Sequence, residues 1–159
     1  MEFLKEINLI HSGIGFFHTI VAVLAMVFGS IVLLNPKGTQ KHRKLGYAYV
    51  MCMALMIISS FGMYNFGGFS LFHAFSIVST LTLVAGIYPA IKRTKGWYGK
   101  HYYFMSWSVI GLYGAFWAEI GTRLLEMQYF WWAVMAATLL TVLSGSIIIK
   151  RNANKFGLG

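Results

Sequence analysis

The sequence has few charged residues, a single cysteine and only two prolines. Charged side chains make up 11% of its 159 residues and hydrophobic side chains 58%, whereas soluble domains carry about a quarter charged residues. This composition excludes an ordinary soluble domain and indicates one transmembrane domain over residues 1–159. The lone Cys52 excludes an intrachain disulfide.

Several signatures of cofactor-dependent enzymes are also missing from the sequence. It contains no Cys-x-x-Cys-His for covalent haem, no Walker loop, no His-Glu-x-x-His and no cluster of His-x-x-x-His boxes. These are the local patterns of c-type cytochromes, nucleotide hydrolases, zinc proteases and di-iron desaturases. The sequence therefore points away from those classes.

Five long apolar runs dominate the chain, at residues 7–34, 45–66, 70–91, 102–122 and 129–149. A helix needs about 20 residues to cross the hydrocarbon core of a bilayer. Backbone polar groups in lipid must bond one another, so such runs form helices. We predict an all-α integral membrane protein with about five transmembrane helices, the first four forming a bundle core and the fifth lying outside it.

The basic residues fall in alternate connectors. Eleven of the thirteen lysines and arginines lie in residues 35–44, 92–100 and 150–159, where there is no acidic residue. Since basic loops stay cytoplasmic, we predict a bacterial cytoplasmic-membrane protein with its amino terminus outside and its carboxyl terminus in the cytoplasm. The net charge of +9 then reflects topology, and we expect the lipid bilayer and no nucleic acid as a partner.

Four histidines lie at two depths of the predicted bundle. His18 lies 19 residues before Lys37, the first basic residue after its run, and His73 lies 19 residues before Lys92, which follows its run. This spacing puts both imidazoles in the outer half. His42 and His101 open the second and fourth runs at the cytoplasmic side. In a four-helix bundle of this connectivity, helices one and three are diagonal, as are helices two and four.

Paired imidazoles at equal depth are a usual geometry for bis-histidine haem. We therefore predict one or two b-type haems, with His18 and His73 as the outer ligands and His42 and His101 as the inner ones. An alternative stays open for each residue. A histidine at a helix end is often solvated, and one within a span often bonds a neighbouring helix.

Glu119 and Arg123 are spaced i, i+4 near the outer end of the fourth run. Their simplest interpretation is an intrahelical ion pair. In the functional interpretation, Arg123 holds a haem propionate or an anionic substrate and Glu119 carries protons or contributes to a metal site. His11, on the same helix face as His18, is expected to be interfacial or an accessory group.

One motif carries a resemblance to a known family. The segment with His42, Arg43, Gly46 and Tyr49 has the pattern His-Arg-x-x-Gly-x-x-Tyr and resembles a family of small bacterial membrane proteins of unknown function. The family pattern continues, over about residues 11–125, with a span-opening histidine, a His-x-x-x-Met and a threonine with an arginine, matched here by His73, His101, Met105, Thr122 and Arg123.

The chain departs from that family where an arginine often follows the His-x-x-x-Met, because it has Ser106 and Trp107 there. The resemblance implies a membrane protein without a settled activity. Separately, the layout of paired histidines is similar to that of the ascorbate-reducible di-haem cytochromes b, which pass electrons across a membrane. That likeness is one of architecture alone.

The favoured hypothesis is a b-type cytochrome-like electron-transfer protein that exchanges electrons with quinone or a periplasmic redox donor. One alternative is a haem-free small transporter or metal-binding membrane protein that uses His18, His73 and Glu119. Another is a non-catalytic membrane subunit. A homodimer and a larger membrane complex are both open as assemblies.

Overall fold

The computed structural model describes residues 13–63, 68–69, 71–155 and 157–158. These residues form five α-helices and no strand, which confirms the all-α prediction. We number the helices in chain order as α1 Gly13–Leu34, α2 Gln40–Ser60, α3 Leu71–Lys92, α4 Trp97–Leu124 and α5 Met127–Lys155.

Three of the helices have the length and apolar composition needed to cross a membrane, namely Gly13–Leu34, Phe72–Lys92 and Gln128–Lys155. In contrast, α2 opens with five polar residues, 40–44, and α4 mixes Glu119 with glycines and hydroxyl-bearing aromatics. Polar residues lower the gain from transferring a helix into hydrocarbon. By length and composition α1, α3 and α5 are thus able to cross a membrane, and the crossing of the bilayer by α2 and α4 stays a prediction.

The helices α4 and α5 are longer than the apolar runs that predicted them. The run at 102–122 lies within Trp97–Leu124, and the run at 129–149 lies within Met127–Lys155. An apolar run measures the thickness of the hydrocarbon core, whereas helical hydrogen bonding continues into the polar interface. As a result, His101 lies in the second turn of α4 instead of at its first residue.

The chain divides into two compact units, Met1–Thr80 and Leu81–Gly159, with the boundary inside α3. In the first unit α1 packs against α2. The buried residues of α1 follow one face at helical spacing and are His18, Val21, Ala25 and Gly29. Small residues on such a face let two helices approach closely within a membrane.

In the second unit, α4 packs against α5 around a core of Tyr102, Ile110, Ile149 and Ala153. The Tyr102 hydroxyl donates to the Ile149 carbonyl across 2.7 Å, in a buried position. Farther along the two helices, the Trp117 indole N–H donates to the Thr141 hydroxyl across 3.1 Å. Two polar links at different levels fix the register of α4 on α5.

A tight turn joins α3 to α4. Arg93 has φ of 52°, a left-handed conformation that favours glycine, and the Thr94 N–H donates to the Pro89 carbonyl across 3.3 Å. This six-to-one bond is the mark of a Schellman helix ending. The Arg93 guanidinium lies 4.2 Å above the centre of the Trp97 ring, and this cation–π contact helps to hold the turn.

Candidate functional site

His18 is a buried residue of α1, with 7% of its surface exposed. Its Nδ1 lies 2.9 Å from the Ser59 hydroxyl oxygen, and the Ser59 hydroxyl donates to the Met56 carbonyl across 2.9 Å. Ser59 belongs to the last turn of α2. The ring of His18 is therefore held by a hydrogen bond between two helices.

His73 lies in the first turn of α3 and has only 2% of its surface exposed. Its ring stacks on Phe69 at 5.2 Å between centres and is tilted against Phe61 at 6.1 Å. The Nε2 atom is buried from solvent. Both outer histidines thus contact the carboxyl-terminal end of α2, His18 through Ser59 and His73 through Phe61.

The same end of α2 is linked to α3 by a pair of serines. The Ser60 and Ser76 hydroxyl oxygens lie 2.7 Å apart, and Ser76 is 9% exposed. None of the sequence motifs includes these serines or Ser59. A signal was available, since Ser59 and Ser60 interrupt an apolar run and Ser76 follows His73 by three residues, on the same helix face.

The two inner histidines belong to different units. His42 is half-buried in the first turn of α2, and its backbone N–H donates to the Thr39 hydroxyl, the cap of that helix, across 3.0 Å. His101 is half-buried in α4, and its Nδ1 lies 2.9 Å from the Gly86 carbonyl oxygen of α3. The contact of His42 is thus made by its backbone, whereas the contact of His101 is made by its imidazole.

Gly86 of α3 lies where this helix closely approaches α4. A Cβ atom added there would lie 2.7 Å from the Met105 sulfur and 3.2 Å from the Met105 backbone nitrogen. Met105 follows His101 by one helical turn, on the same face of α4. The His-x-x-x-Met motif therefore uses both of its residues to contact one buried glycine.

A family model described as a predicted membrane protein, DUF2306, matches residues 15–151. The chain belongs to this family. No curated protein and no solved structure matches the chain. The DUF2306 match confirms the resemblance carried by the two short motifs, and it includes all four candidate histidines.

The remaining predicted site residues of this DUF2306 protein are only partly described. Glu119 is half-buried in α4, while the Arg123 side chain and the whole of His11 lie outside the described residues. Among the residues that the structure does describe, no group of three or more His, Cys, Asp or Glu side chains converges on a metal site. A bis-histidine haem needs only two such ligands from the protein.

Proposed function

We propose that this DUF2306 protein is a membrane electron-transfer protein that binds haem b through pairs of histidines. The observation that carries the proposal is the burial of His18 and His73, which are 7% and 2% exposed and contact the same end of α2. Ionisable side chains inside a membrane are costly and usually serve a function. Imidazole nitrogens are common axial ligands of haem iron.

For the outer haem, His18 and His73 are the residues that would hold the iron. The rings of Phe61 and Phe69 beside His73 supply the apolar surroundings that a porphyrin requires. Arg123 would neutralise a propionate, since a guanidinium binds carboxylates through two parallel hydrogen bonds.

The inner pair of ligands, His42 and His101, is proposed from their positions in the sequence alone. Exposed cations follow or precede them closely in sequence and would neutralise the propionates, namely Lys41, Arg43, Lys44 and Lys100. Haem supplies reversible one-electron chemistry when it is bound. Two such sites at opposite sides of the membrane would carry electrons across it, and one site alone would serve exchange with quinone or a periplasmic donor.

The test is the reduced-minus-oxidised optical spectrum of the protein purified from cells with ample haem. We expect the sharp bands of six-coordinate low-spin haem b. His18→Ala and His73→Ala should each remove one spectral component, and His42→Ala and His101→Ala should each remove the other. Double substitutions within a pair should be no worse than single ones, while substitutions in different pairs should add.

His11→Ala serves as the control and should leave both components in place. A colourless protein would overturn the proposal. If that protein carries a metal ion that is lost on His18→Ala or His73→Ala, the metal-binding alternative replaces it. A protein with neither haem nor metal would favour the transporter or the non-catalytic subunit.

A further inference from the structure

The contact between His18 and Ser59 bears on which imidazole nitrogen carries the proton. A serine hydroxyl has one proton, and Ser59 has two acceptors for it, the Met56 carbonyl at 2.9 Å and a lone pair on His18 Nδ1. When the proton goes to Met56, the Ser59 oxygen is an acceptor toward His18 Nδ1, 2.9 Å away. A neutral imidazole has one N–H and one lone pair, so in that arrangement His18 would carry its proton on Nδ1 and its lone pair on Nε2.

His101 has the same arrangement in the second unit. A carbonyl oxygen only accepts hydrogen bonds, so His101 Nδ1, 2.9 Å from the Gly86 carbonyl, must donate. The lone pair of the neutral ring is again on Nε2. His101 is thus held in one tautomer by a carbonyl on the neighbouring helix, and Ser59 would hold His18 in the same tautomer by accepting from it.

We propose that Ser59 is a positioning residue that presents Nε2 of His18 as its ligating nitrogen. The inference rests on the proposed function, because the atom that Nε2 of His18 would bind is the iron of the outer haem. Histidines that bind metals usually donate their other N–H to an acceptor, which fixes the tautomer and the ring orientation and raises the basicity of the ligating nitrogen. Ser59 would perform this role by giving its own proton to the Met56 carbonyl.

The chain offers a matched control in the next residue. Ser60 is in the same helical turn, and its hydroxyl is bonded to the Ile57 carbonyl at 2.6 Å and to the Ser76 hydroxyl at 2.7 Å. Ser60→Ala therefore removes a hydroxyl and interhelical polar contact of the same kind as Ser59→Ala does. Only Ser59→Ala removes the acceptor of the His18 N–H.

The experiment uses haem-free protein with ¹⁵N-labelled histidine, and long-range ¹H–¹⁵N NMR at a pH where His18 is neutral. The His18 signals are assigned by their loss in His18→Ala. We expect the Nδ1–H tautomer in the native protein. Ser59→Ala should lower the ratio of Nδ1–H to Nε2–H about tenfold, the effect of losing one ordinary hydrogen bond. Ser60→Ala should leave the ratio unchanged, and Ser59→Thr should retain the native tautomer.

The positioning role is overturned if native His18 is protonated on Nε2, or if Ser59→Ala and Ser60→Ala have equal effects. Should Ser59→Ala fail to fold, the native protein and Ser59→Thr still decide, because both must show the Nδ1–H form. In haem-loaded protein, Ser59→Ala should shift the reduction potential of the outer component alone. A protein that never binds haem refutes the proposed function and leaves the NMR result intact, so the two failures are distinguishable.

Discussion

At the scale of single residues, Lys37 has an unusual environment just after α1. Its amine donates to the carbonyls of Val32 and Leu33, at 2.5 and 2.8 Å. These carbonyls belong to the last helical turn and have no helical N–H partner, and the residue four positions after Val32 is Pro36, which has no N–H. The neutral amine has two protons, one for each of these acceptors. Burial favours this neutral form and lowers the pKa of Lys37 from 10.5 to about 8.

We therefore predict that Lys37 becomes reactive toward acylating reagents at an unusually low pH. Its neutral fraction near pH 8 should be roughly 100-fold that of an ordinary lysine side chain. The measurement is pulse labelling with an amine-reactive ester across a pH series, with peptides quantified by mass spectrometry and each lysine normalised to its own plateau. Exposed Lys41 in the same segment is the reference, and a Lys37 midpoint as high as that of Lys41 would contradict the prediction.

The same pKa has a consequence for stability. Below about pH 8, Lys37 is charged in the folded and unfolded states alike, and the folded state is penalised for burying the charge. Between about pH 8 and 10.5 the unfolded state retains a proton that the folded state has released, so the Lys37 contribution to stability rises with pH across that window. Lys37→Gln should abolish this rise.

At the scale of helices, the approach of α3 to α4 depends on Gly86. A Cβ there would meet the side chain of Met105, which is flexible, and its backbone nitrogen at 3.2 Å, which cannot move without displacing the helix. Gly86→Ala should therefore lower the free energy of unfolding by about 1–3 kcal/mol, the usual effect of overpacking. The gain in helix propensity, about 1 kcal/mol, offsets part of that loss.

Gly111→Ala is the matched control in α4, because nothing lies within 4 Å of its Cβ position. This substitution should be neutral or stabilising by up to about 1 kcal/mol. Both variants can be compared by reversible unfolding in mixed micelles. Equal stabilities for Gly86→Ala and Gly111→Ala would show that α3 and α4 are not in close contact at Gly86.

At the scale of the whole molecule, the prediction concerns topology. A reporter enzyme fused after Lys155 should be active only in the cytoplasm, and one inserted at Gly68 only outside, since eleven of the thirteen basic residues would then face the cytoplasm. The pair of fusions also shows whether the number of crossings between the two sites is odd or even. Three spanning helices between the two sites put the reporters on opposite sides, whereas crossing by α3 and α5 alone puts them on the same side.

Much of this architecture was readable from the sequence, because membrane insertion depends on local properties. The apolar runs predicted the five helices that the described residues form, and the two short motifs pointed to the family that the match over residues 15–151 establishes. The common depth that equal spacing from basic residues predicts for His18 and His73 stays a prediction. Hydropathy and spacing along one chain are sufficient for such inferences, since each helix satisfies its own backbone.

Only the tertiary structure decided which side chains meet. Nothing in the sequence paired His18 with Ser59, brought Phe61 to His73, or put His101 and Met105 against Gly86. The sequence of a membrane helix has no strong apolar periodicity to reveal which face packs on a neighbouring helix, because lipid and protein interior are similarly apolar. The sequence determined the helices and their composition. The partners of the histidines depend on how those helices rotate and pack, which is a property of neighbouring helices together.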